Sequence, residues 1–140
     1  MILAIDPGSD KSGAAVVESQ NDEIIVNEKK IIKTNKFDLY LERVYNIYDI
    51  DEVVLGNSTT AKDMEKSLIK SKQEKGFKYS INIIDEKYST HEAEKLYIKD
   101  NYSFFLNILY KIVSWKPKKP VDDYAAVVLA KRYLTDKKST

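Results

Sequence analysis

The sequence has no cysteine and a single histidine in 140 residues. The first absence excludes disulfides, thiolate zinc sites and a cysteine nucleophile together. Prolines number only three, beside 43% hydrophobic and 32% charged residues, which is the balance of a folded globular chain rather than a disordered one. No stretch approaches the roughly 18 consecutive apolar residues of a membrane span. The chain does not open on a basic segment followed by an apolar one, so no secretory signal is expected and the cytoplasm is the expected location. An excess of one charge is missing too, with Lys+Arg 23 against Asp+Glu 22. Composition alone therefore does not announce a nucleic-acid binder. Lysines do gather locally, at Lys66, Lys70, Lys72, Lys75 and Lys78, at Lys116, Lys118 and Lys119, and around Lys131, Arg132, Lys137 and Lys138. On helices these are solvated faces first, and they permit phosphate contact without demanding it.

What is present reads as one domain over residues 1–140, long enough to bury a core. Ile2–Ile5, Ser12–Glu18 and Glu23–Lys33 read as strands with short connections, which favours antiparallel pairing. Phe37, Tyr40, Leu41, Val44 and Tyr48 recur at helical steps. Val53–Leu55 is a strand, Ala61–Lys75 a polar helix stopped by Gly76, and Tyr79–Ile84 another strand. Thr90 caps a further helix, Phe104–Trp115 is apolar and helical, KPKKP breaks it, and Val121–Leu134 is the last helix. The tyrosines and phenylalanines on helices are mostly core, and His91 is surface structure. The order predicts an α/β sheet with an antiparallel meander at one side and parallel strands entering through helical crossovers.

Ligands of open α/β sheets collect outside the carboxyl ends of the parallel strands. Three such ends carry polar chemistry: Asp6 in IDPG, the run Asn57-Ser58-Thr59-Thr60 after Gly56, and Asp85-Glu86. Taken singly, IDPG is a common turn with Pro second and Gly third, and NSTT is an anion loop or a helix cap. Asp122 and Asp123 open the last helix, where acids suit the dipole in any protein. The small pair Ala125-Ala126 behind them would let that helix approach the sheet. Acids on two strand tips and on an adjacent helix start are not required by the separate structural readings.

IDPGSDKSGAAVV, VVLGNSTT, IIDEKYSTHEAEKLY and PVDDYAAVVLAKRYL, in that order over nearly the whole chain, resemble the YqgF-type proteins. These are RNase H-like nucleases, also called Holliday-junction-resolvase-like. The resemblance implies an α/β RNase H-like fold: a mixed five-stranded sheet, three antiparallel then two parallel strands, with helices on both faces. It places the family's first acid on Asp6, the glutamate of its D-E-[RK]-x-[ST]-T motif on Glu86, and the acid of its D-x-x-A-A motif on Asp122. Lys87 stands where the family usually has arginine, which weakens a bidentate phosphate grip. Asp123 adds a second acid, leaving open which of the two binds metal.

Crowded carboxylates with no cysteine suit Mg²⁺ or Mn²⁺. The expected catalytic set is Asp6, Glu86 and Asp122 or Asp123, with Asp6, Glu86 and Asp122 as metal ligands. Gly8, Asn57, Ser58, Thr59, Thr60 and Lys87 are expected at the substrate, and Gly8 and Gly13 to keep the first hairpin clear of it. The resemblance implies processing of pre-16S ribosomal RNA or cutting of four-way DNA junctions. RNA is preferred, because a lone small domain lacks apparatus for gripping a junction. The chain is expected as a monomer or a homodimer, with Phe104, Phe105 and Tyr110 available to a dimer surface. A two-lobed sugar-kinase or actin-type ATPase is too large for this length, and a non-cutting binding protein of the same fold is the remaining alternative.

Overall fold

Alternation of side chains along the first strands decides which residues meet which helix. The computed structural model describes residues 1–21, 23–85 and 122–139. Strands β1 (Ile2–Asp6), β2 (Lys11–Gln20) and β3 (Glu23–Lys33) form an antiparallel meander. A 3-10 turn at Thr34–Lys36 and helix α1 (Phe37–Ile47) lead to β4 (Glu52–Gly56), and α2 (Ala61–Lys75) leads to β5 (Ser80–Ile84). β4 pairs parallel with β1 and with β5, so the five strands lie in the order β3-β2-β1-β4-β5. Helix α3 (Asp122–Ser139) is the last described element.

Leu3, Ile5, Ala14, Val16, Val53 and Leu55 face one side of the sheet, against Phe37, Leu41 and Val44 of α1 and Met64 and Leu68 of α2. Ile2, Ala4, Ala15, Val17 and Val54 face the other side, against Ala126, Val127, Leu129 and Ala130 of α3. Strands covered on both faces read as continuous apolar runs, which is why ILAI and GAAVV show no alternation. α1 buries Phe37, Tyr40, Leu41 and Val44, the helical stripe read from the sequence. α2 ends where expected: Gly76 adopts φ 68°, and its N–H bonds the Lys72 carbonyl at 3.1 Å.

β1, β2 and β4 each run one or two residues beyond the expected bounds, and two further elements differ. β5 begins at Ser80, the first residue paired with β4, while the preceding Tyr79 is buried and donates its hydroxyl to the Leu68 carbonyl at 2.9 Å. α3 continues past Leu134 as a polar extension, anchored by Lys137, which reaches Glu52 of β4 at 2.7 Å. The segments expected as helices at 90–99 and 104–115, and the loop at 116–120, lie outside the described residues.

Candidate active site

Asp6 ends β1 with the same parity as Ile2 and Ala4, so it faces α3. Its partner across the antiparallel pair is Gly13, and directly opposed residues share a face. A Cβ on Gly13 would sit 1.9 Å from the carbonyl oxygen of Asp122 and 2.9 Å from the amide nitrogen of Asp123. The start of α3 therefore occupies the space a side chain would fill. Gly13 is what lets the helix descend onto the sheet beside Asp6, a role different from the expected one of clearing the hairpin away from substrate. Ala125 and Ala126 are buried behind it and keep the approach close.

Hydroxyls fasten the turn after Asp6. Ser58 and Thr60 both donate to the Pro7 carbonyl, at 3.1 and 3.0 Å. Thr34 donates to the Gly8 carbonyl at 2.8 Å, and the Ser12 hydroxyl accepts from the Gly8 N–H at 3.3 Å. Gly8 serves close approach rather than a left-handed turn: a Cβ there would meet the Lys11 carbonyl oxygen at 2.1 Å, and among the described residues Gly76 is the glycine with positive φ. Asn57 is fixed through its backbone, donating to the Ile84 carbonyl at 2.8 Å, while the side chains of Asn57 and Thr59 are exposed at the same end of the sheet.

The two helix acids have different surroundings. Burial pushes the Asp122 carboxyl above the usual carboxylate range, the Asp123 charge adds to this, and the Lys11 ammonium opposes it. Asp123 turns to the edge strand, pairing with Lys29 of β3 at 3.5 Å and accepting the Tyr124 N–H at 3.0 Å. The Lys29 ammonium also lies 4.1 Å from the centre of the Tyr124 ring. Lys11, Ser12, Lys29 and Thr34 were not singled out from the sequence. Their signal is tertiary, since a register shift between Val16 and Val17 sets which β3 side chain meets α3. Glu86 and Lys87 lie outside the described residues, as does His91. Among the described residues no three metal-capable side chains cluster.

A family model described as Holliday junction resolvase, RuvX, matches residues 1–136. The chain belongs to the RuvX family. A relative from Caldicellulosiruptor saccharolyticus, provisionally named a pre-16S rRNA nuclease, is 31% identical over 144 residues, covering 95% of each chain. Among solved structures, the fowlpox virus resolvase with Holliday junction DNA matches at TM-score 0.61 and 13% identity, covering 96% of this chain and 97% of that one. The Thermus thermophilus RuvC complex with a Holliday junction matches at TM-score 0.55 and 13% identity, with 96% and 94% covered. These likenesses establish the RNase H-like fold. RuvX is thus a family of enzymes that cut nucleic acid, and such nucleases work with divalent metal ions. The donors in this chain fit that group. Asp6 and Asp122 carry hard carboxylate oxygens on two elements that meet over Gly13, and the penalty on the Asp122 charge is one a cation would relieve.

Proposed function

We propose that this RuvX chain is a cytoplasmic, divalent-metal-dependent nuclease that hydrolyses phosphodiester bonds of pre-16S ribosomal RNA, with Asp6, Glu86 and Asp122 holding Mg²⁺ or Mn²⁺. The reading is carried by the corner where Asp6 and the start of α3 meet over Gly13. Bound there, the metal would polarise an attacking water and stabilise the leaving oxygen of an in-line displacement.

The chain's own residues prepare that corner. The Pro7 and Gly8 carbonyls, held by Ser58, Thr60 and Thr34, fix the backbone that carries Asp6. Asp123 acts as a positioning residue: its pairing with Lys29 orients the first turn of α3 and leaves Asp122 as the ligand. Asn57 and Thr59, exposed beside β1, are available to a phosphate oxygen, and the Gly8 turn lets the backbone come close. Ser58 and Thr60, whose hydroxyls hold Pro7, support the substrate site from below. Glu86 and Lys87, which come after β5 and Asp85 in the chain, are assigned as ligand and as phosphate contact.

Holliday junction DNA is the second reading, favoured by the family description. The deciding experiment compares an end-labelled precursor-like RNA with a four-way DNA junction, each in Mg²⁺, Mn²⁺ or EDTA, beside Asp6→Asn. Cutting of RNA that needs both metal and Asp6 is expected. Cutting confined to the junction would replace the substrate, and binding without cutting by the folded protein would move it to the non-catalytic class.

A further inference from the structure

The sheet end that carries Asp6 also carries two lysines set against each other. Lys11 opens β2 and is the cross-strand partner of Lys33, which closes β3. Like charges directly opposed on an antiparallel pair destabilise it. Neither lysine forms an ion pair with a described residue. Lys30 and Lys36 are exposed and equally without an ion pair among the described residues. With Lys33 they line an open groove of about 420 Å³ between β3 and α1. Arg43, also in its wall, is already neutralised by Glu28.

Lysines on an edge strand have an ordinary use, which is to keep other strands from pairing with it. That accounts for cations on β3. It does not account for Lys11, which lies on the inner strand β2, or for Lys36, which lies in the turn before α1. The row also has a direction. It begins at Lys11, whose charge reaches Asp122, and it ends in a groove whose wall includes Leu39, 70% exposed. Cations leading to an apolar shelf suit a strand that lays its phosphates along the lysines and its sugars against Leu39.

We propose that Lys11, Lys33, Lys36 and Lys30 form a phosphate track that carries one single-stranded RNA flank from the Asp6 corner into the groove between β3 and α1. This track rests on the nuclease reading above and assigns the path of its substrate. The test measures binding of a labelled single-stranded RNA in EDTA, where no cutting occurs, as a function of salt. Variants are Lys11→Ala/Lys33→Ala and Lys30→Ala/Lys36→Ala, with Lys66→Ala/Lys70→Ala on α2 as control.

Each phosphate contact on a single strand contributes about 0.7 to the slope of log affinity against log salt. Each track variant is therefore expected to lower that slope by roughly 1.4, with the control unchanged. In cleavage assays KM rises in both track variants, and kcat holds in Lys30→Ala/Lys36→Ala. Urea denaturation separates this from a structural role: with the repulsion gone, Lys11→Ala/Lys33→Ala should be at least as stable as the parent. Unchanged slopes, an equal loss in the control, or no RNA binding by the parent would each overturn the track. If the parent cuts RNA and the slopes do not move, the track fails and the nuclease stands. If the slopes fall and nothing is cut, the nuclease reading fails and the track stands.

Discussion

At the scale of single residues, one missing methyl group organises the site. A Cβ on Gly13 would overlap the Asp122 backbone, with the Asp122 carbonyl oxygen only 1.9 Å away, and a helix start cannot yield as a flexible side chain does. Gly13→Ala should therefore lower stability by about 1–3 kcal/mol, the usual range for overpacking. Activity should fall further than stability explains, because the displaced element carries Asp122. Urea denaturation beside the cleavage rate of the folded fraction checks both. The neighbouring acids should separate as cleanly. Asp122→Asn is expected to cost at least ~100-fold in kcat, the scale of losing one preorganised electrostatic group. Asp123→Asn should cost under ~10-fold, since it loses a partly exposed pairing with Lys29 and relieves Asp122 of a neighbouring negative charge. Equal losses would mean that the Lys29 contact does not distinguish them.

Elements are tied together by two partly buried glutamates that answer cations across the fold. Burial raises the Glu28 carboxyl, but the Arg43 hydrogen bond and charge, with Tyr40 and Tyr48, outweigh it and leave it below the usual range. Glu52 behaves alike: burial is opposed by Lys137 and Tyr133, and the net direction is down. A depressed folded-state pKa gives stability that is present above the unfolded value, near 4.5. That stability is lost as pH falls through the folded value. Glu28→Gln and Glu52→Gln should accordingly flatten the loss of stability below about pH 4.5, measured as denaturation midpoints across pH. Both pairings cross between elements, and neither was visible in the sequence. What was visible is local. Hydrophobic period located α1, Gly76 located the end of α2, and apolar runs located β1, β2 and β4 to within a residue or two. Asp6 and Asp122 were singled out by a strand tip and by the family resemblance, and the elements that carry them meet over Gly13. Their supports were not legible, because Lys29 meets Asp123 only through the β2–β3 register, and Ser58 meets Pro7 only once β4 lies beside β1.

For the whole molecule, the corner sets stability against function. Without a cation, the Asp122 charge is disfavoured by burial and by Asp123, so it weakens the folded state as pH rises out of the acid range. Asp122→Asn removes that penalty and should make the metal-free protein more stable at neutral pH while abolishing cutting. A divalent ion that binds the folded state alone stabilises it by mass action, about 2.7 kcal/mol at a concentration 100 times Kd. For a chain of this size, that is a rise in Tm of roughly 8–12 °C. Titration of Mg²⁺ and Mn²⁺ against Tm should show the rise in the parent and its loss in Asp6→Asn and Asp122→Asn, with no nucleic acid present. A Tm that climbs equally in all three proteins would place the ion elsewhere on the surface. A Tm that never moves in the parent would remove Asp6 and Asp122 as ligands in the free protein, leaving recruitment of metal with the substrate phosphate as the remaining route.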